Sequence, residues 1–197
     1  MGGVSLCGGS CTVIRGLVLA GGKSSRFGED KALALYEGTP LLERAVSLLD
    51  GVRLKPVVIT RRGSDYPFLR CTVLHDKLPG LGPLGGIYTA MTVFKNTAFL
   101  ILTTDMPALT QAVLEELLDR HEAGRRLTFY STAGIEQPFP AVYEPSLLGI
   151  VRERFKNEQL SMKGLFKEVP LRKSLNWTGA SSVFCNVNER EELDALN

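Results

Sequence analysis

Four short runs constrain what this chain can build: Thr12–Ala20 ("TVIRGLVLA"), Pro56–Thr60 ("PVVIT"), Cys71–Leu74 and Ala98–Leu102 ("AFLIL"). They are apolar or β-branched, the pattern of strands covered on both faces. Helical patterns lie between them. Pro40 opens "LLERAVSLLD", whose Leu41, Leu42, Ala45, Leu48 and Leu49 share one broad face, with Gly51 as the stop. Leu84–Phe94 reads as a second helix. Thr110 reads as the cap of a third, "QAVLEELLDRHEAG", with Val113, Leu114, Leu117 and Leu118 as its apolar stripe and Gly124 as its end. Further on, the pattern predicts a strand over Arg126–Ser131, an apolar stretch near Phe139–Tyr143, and helices near Ser146–Phe155 and Met162–Glu168. A strand at Ser182–Cys185 and a last helix, with Asn188 and Glu191 as its capping pair, complete the reading. Such alternation implies a doubly wound α/β sheet in a single domain.

A chain of 197 residues is long enough for one well-filled core. Its net charge of +2 gives no whole-molecule case for nucleic acid or membrane binding, so any polyanionic ligand must be held by local charge. No apolar run approaches the length of a membrane span. Residues 1–12 read as a flexible lead-in without a signal peptide, and 13–197 as the domain. Cys7 and Cys11 form C-x3-C with no second pair or histidine cluster to complete a zinc site; reduced, cytoplasmic thiols are expected.

In a doubly wound sheet, ligands sit beyond the carboxyl ends of the strands. The stretch "GLVLAGGKSSRFGEDKA" leaves the first strand there. It is not a Walker A loop: counting back from Gly22-Lys23-Ser24 puts Leu17 where the first glycine belongs. Nor do Gly21, Gly22 and Gly28 fit G-x-G-x-x-G. Instead the loop carries Lys23, Arg26 and Lys31 within nine residues, while Gly21 and Gly22 permit close backbone approach to an anion. Arginine grips phosphate oxygens in pairs and lysine acts as a mobile point charge. Glu29 and Asp30 temper the local field. Asp105 emerges just past an apolar strand in "LILTTDMPAL", and a hard carboxylate beside a basic loop suits Mg²⁺ on a triphosphate. A Gly/Pro-dense loop, Leu74–Gly86, begins with Asp76. His75 and His121 read as ordinary loop or surface histidines, and the pairs Arg61-Arg62, Arg125-Arg126 and Arg172-Lys173 as solvated surface.

Taken together, Leu19–Lys31 (L-A-G-G-x-S-x-R-x-G-x-D-K), Gly80–Gly86, Thr104–Pro107, Gln137–Phe139 and Asn186–Leu193 resemble the molybdenum cofactor guanylyltransferase family, from about residue 13 to the C-terminus. The first motif marks the wider nucleotidyltransferase superfamily. The resemblance implies a Rossmann-like fold, Mg²⁺, and transfer of GMP from GTP to the phosphate of molybdopterin in the cytoplasm. Partners would be GTP, molybdopterin and molybdenum-cofactor-handling proteins. By motif, Leu19, Ala20, Gly21, Gly22, Lys31, Asp76 and Asp105 would bind the nucleotide, Asp105 would carry the metal, and Arg26, Lys31 and Asp105 would be catalytic. Where family members can present an Asn, this chain has Ile59. A cytidylyl- or sugar-1-phosphate nucleotidyltransferase, and a non-catalytic nucleotide-binding relative, remain as alternatives.

Overall fold

The computed structural model describes residues 13–21, 27 and 30–196. Strand β1 (Val13–Leu19) leads through a 3₁₀ turn at Lys31–Leu33 and a small ribbon, β2 (Leu35–Tyr36) and β3 (Thr39–Pro40), to helix α1 (Leu41–Gly51). Then come β4 (Pro56–Thr60), β5 (Thr72–His75), α2 (Pro83–Val93), β6 (Thr97–Thr103) and α3 (Gln111–Asp119). The last part contains β7 (Leu127–Thr132), β8 (Ile135–Tyr143), α4 (Leu148–Lys156), α5 (Met162–Glu168), β9 (Arg172–Asn176) and α6 (Arg190–Asp194).

Seven strands form one sheet in the order β5-β4-β1-β6-β8-β7-β9. The sheet is parallel except at β8, which runs against both β6 and β7. Helices α1 and α3 pack on one face, while α2, α4 and α5 pack on the other. Strands β4 and β6 are therefore buried almost end to end, which is why their sequences are apolar without alternation. The fold is the expected α/β one. Strand order reverses about β1: β4 and β5 extend to one side and β6 is added on the other, and ligands of such sheets sit at the carboxyl ends of the strands flanking that switch point, here β1 and β6.

Four local readings are corrected. Strand β9 is an edge strand in which only Leu175 is buried, so its sequence, RKSLN, carries no apolar signal. The segment read as a strand at Ser182–Cys185 is instead a 3₁₀ turn, Ser181–Phe184, that drives Phe184 against Tyr130 and Trp177. Helix α3 ends five residues before Gly124, because His121 turns inward; its ring nitrogens pair with Thr128 Oγ1 (2.8 Å) and Glu144 Oε1 (3.0 Å). His121 is thus buried, not on the surface. Finally, the capping box of α6 is Glu189 with Glu192, one residue later than Asn188 with Glu191. That register buries Leu193 in a small cluster with Phe27, Ala34, Leu41 and Val187.

Candidate active site at the carboxyl edge

Parallel pairing places the ends of β1, β4, β5 and β6 along one edge. Leu19 is level with Ile59 on one side and Thr103 on the other, and Thr60 is level with His75. The ladder runs slightly beyond the strands: Ala20 N–H donates to Ile59 O (2.9 Å) and Asp76 N–H to Thr60 O (2.8 Å). Leu19, Ala20, Gly21, Asp76 and Asp105 consequently share the edge. Gly22, Lys23, Arg26 and Glu29, like Cys7, Cys11 and the lead-in, lie outside the described residues.

At the β1/β6 crevice, Lys31 and Asp105 come together. A segment from the far end of the chain joins them: Val187 N–H donates to Asp105 O (2.8 Å), and Lys31 Nζ donates to Val187 O. The ammonium lies 5.5 Å from the centre of the Phe27 ring. Partial burial lowers the Lys31 pKa, opposed by the negative charges of Asp105 and Glu192. Asp105 Oδ1 is buried and accepts no hydrogen bond among the described residues; Thr103 Oγ1 behind it is in the same state. A buried carboxylate oxygen without a partner is costly unless something else occupies its lone pairs.

The turn carrying Lys31 is held from outside. Asp30 Oδ1 accepts Ala32 N–H (3.1 Å), capping the 3₁₀ turn, and Oδ2 accepts the Tyr66 hydroxyl (2.8 Å). Burial, then the bond to Asp30, pushes the Tyr66 phenol up to about 12. Asp30 is therefore a structural anchor rather than a counter-charge. Tyr66 escaped the sequence reading, as did Glu192, whose Oε2 accepts the N–H groups of Asn188 (2.5 Å) and Glu189 (3.3 Å) and so fixes the turn after Val187.

The other half of the edge is tied up differently. Asp76 Oδ1 accepts Leu78 N–H (2.9 Å) and the Thr89 hydroxyl (3.1 Å), pinning the Gly-rich loop to α2. Three strand spacings separate Asp76 from Asp105, roughly 14 Å, a span for an extended ligand rather than one metal. Helix α2 starts against this edge, so closely that a Cβ on Gly86 would lie 2.7 Å from Leu19 Cδ2. Ile59 is 2 % exposed and its Cγ2 lies 3.4 Å from the same point, so its side chain is core and presents nothing to a ligand. A Cβ on Gly21, by contrast, would meet only Arg61 Cγ at 3.9 Å among the described residues. Arg61, read as one of a surface pair, is thus at the site's border; its carbonyl is 3.2 Å from His75 Nδ1, which also pairs with Thr60 Oγ1.

A doubly wound sheet that brings a half-buried lysine to its switch point beside a carboxylate oxygen with no partner among the described residues has the features of a nucleotide-handling enzyme. The chain belongs to the MobA-like NTP transferase domain family, whose model matches residues 16–172, and is a nucleotidyltransferase. It is 29 % identical to a Flavobacterium johnsoniae protein over 181 residues, 91 % of this chain and 94 % of that one. It is 34 % identical to a Chloroflexus aggregans protein over 148 residues, 73 % and 71 % of the two chains. Both carry the name "Probable molybdenum cofactor guanylyltransferase". The fold matches that of molybdopterin-guanine dinucleotide biosynthesis protein A from Archaeoglobus fulgidus, with a TM-score of 0.76 over 92 % of this chain and 96 % of that one, at 19 % identity. No helix among the described residues is long and apolar enough to cross a membrane.

Proposed function

We propose that the protein transfers GMP from GTP to the terminal phosphate of molybdopterin, in the cytoplasm. A phosphate oxygen of the pterin attacks the α-phosphorus, the bond to the β-phosphate oxygen breaks, and pyrophosphate leaves with the electron pair. The product is molybdopterin guanine dinucleotide. The relatives' names support the substrates; the convergence of Lys31 with an Asp105 oxygen that has no partner among the described residues carries the chemistry.

The nucleophile needs no general base, because a phosphate monoester is largely dianionic at neutral pH. The two histidines are engaged elsewhere, which agrees with that economy. The barrier lies in bringing two anions together and stabilising the leaving charge, work done by positioning and fixed charge. Lys31, held by Val187 O, keeps one cation on the phosphates, and Arg26 supplies a second from the loop. Backbone at Leu19, Ala20, Gly21 and Gly22 admits the nucleotide to the strand edge. Asp76 orders the Gly-rich loop on the far side, where its second oxygen would lie 2.9 Å from a Cβ at Gly85.

Asp105 suits a divalent metal: its buried Oδ1 is a hard donor with no hydrogen-bond partner among the described residues. No group of three metal-ligating side chains occurs among the described residues, and Mg²⁺ binding through one carboxylate plus substrate phosphates needs none. Held there, Mg²⁺ would neutralise the triphosphate and the departing pyrophosphate. The test is to incubate the protein with molybdopterin, Mg²⁺ and each nucleoside triphosphate separately while following pyrophosphate release. GTP is expected to support turnover at least about tenfold better than CTP, a difference of only ~1.4 kcal/mol in transition-state binding. Preference for CTP, or for a sugar phosphate over the pterin, would assign another member of the superfamily. Nucleotide binding without pyrophosphate would make the site non-catalytic.

A further inference from the structure

At the opposite, amino edge of the same sheet lies a groove of about 580 Å³ that the proposed transfer reaction does not use. Sequence-distant segments meet there: Arg15 in β1, Arg53 and Lys55 in the turn between α1 and β4, and Arg70 before β5. Asp50, at the end of α1, is the one carboxylate lining it. The groove therefore carries a formal charge of about +3, more than the whole chain's +2. Arg53, Lys55 and Arg70 make no ion pair or side-chain hydrogen bond among the described residues. The Arg15 guanidinium is steadied 4.7 Å above the centre of the Phe94 ring. Thr72 adds a hydroxyl to the lining.

Arg53 carries a further mark. Arg53 N–H bonds to Asp50 O (2.8 Å), and Leu54 N–H to Leu49 O (3.0 Å), closing α1 in the manner that favours glycine at the left-handed position. Arg53 occupies that position, with φ +60°. A side chain with a Cβ is held there in glycine's conformation, and Arg53 lines the groove.

We propose that this groove is a second, non-catalytic site for a small polyphosphate anion. Its volume falls in the range of small-molecule sites, and its lining offers guanidinium and ammonium donors, the groups that recognise phosphate oxygens. The strand β4 alone separates it from the catalytic edge by roughly 13 Å, so both sites can be filled at once. The inference does not depend on which nucleotide the catalytic edge uses.

The test is calorimetric titration of the full chain with tripolyphosphate and, separately, with ATP, in EDTA at low salt. The Arg53→Gly/Arg70→Ser variant is titrated in parallel. Glycine suits the backbone at 53, so the variant's melting temperature should hold or rise. Loss of two phosphate-gripping arginines should remove a binding event or weaken it about tenfold or more, with GMP transfer unchanged. Added salt should weaken the wild-type event in the same direction. Equal binding in both arms assigns the site to the phosphate chain itself, and tighter ATP binding assigns it to a nucleotide. Superimposable isotherms for wild type and variant, or loss of transfer in step with binding, would overturn the proposal.

Discussion

Asp76 and Asp105 begin alike and end differently. Each follows the carboxyl end of a parallel strand, and each lies at the edge to which the proposed transfer is assigned. Asp76 spends Oδ1 on Leu78 N–H and the Thr89 hydroxyl, so it behaves as a joint between loop and helix. Asp105 keeps a buried oxygen with no partner among the described residues, next to a lysine held by Val187. The contrast separates a carboxylate satisfied by its own fold from one that the fold leaves to a ligand. An unsatisfied buried acceptor costs about 1–3 kcal/mol, which a bound cation would offset.

The largest expected effect follows from Asp105. Asp105→Ala should lower kcat by roughly three orders of magnitude, several kcal/mol of lost charge stabilisation, while the melting temperature stays within a few degrees. Activity near wild type would remove the residue from the mechanism; a collapsed melting temperature would make it another Asp76. For Asp76→Ala the balance should invert. Two hydrogen bonds to a carboxylate disappear, costing about 1–3 kcal/mol of stability by chemical denaturation. The transfer rate should fall less than in Asp105→Ala, and an equal fall would erase the distinction between the two.

The smallest effect concerns the anchor of the Lys31 turn. Burial, with the bond to Asp30, pushes the Tyr66 phenol up to about 12 in the folded protein, against about 10 in an unfolded chain. A raised folded value means that its contribution is complete below pH 10 and is lost as pH climbs from 10 to 12. Tyr66→Phe should flatten that part of the stability profile by on the order of 2 kcal/mol, measured by urea unfolding at stepped pH. An unchanged profile would detach Tyr66 from Asp30.

Much of the architecture was legible because double-sided burial leaves a plain record. The strands β1, β4 and β6 are apolar runs with little polar relief, and α5 is apparent as Met162–Glu168. Edge strand β9 lacked that record, since one buried leucine in five residues looks like any surface segment. At α6, two acidic or amide pairs three residues apart compete one register apart, and only the burial of Leu193 chooses between them. Lys31 and Asp105 were readable as charges beside strand ends. Val187 was not, because it acts through its backbone from 156 residues beyond Lys31, and no side-chain type signals that role. Tyr66 was hidden for a related reason: its hydroxyl matters only once Asp30 is known to face it.

Manganese binding, followed by the loss of its free-ion EPR signal, tests the central claim most directly. Wild type and Asp105→Asn would be compared with a non-hydrolysable GTP analogue present. The wild type should show a nucleotide-dependent manganese site that weakens about tenfold or more when one charged ligand oxygen is lost. Equal manganese affinity in both proteins, with the analogue bound to each, would contradict it.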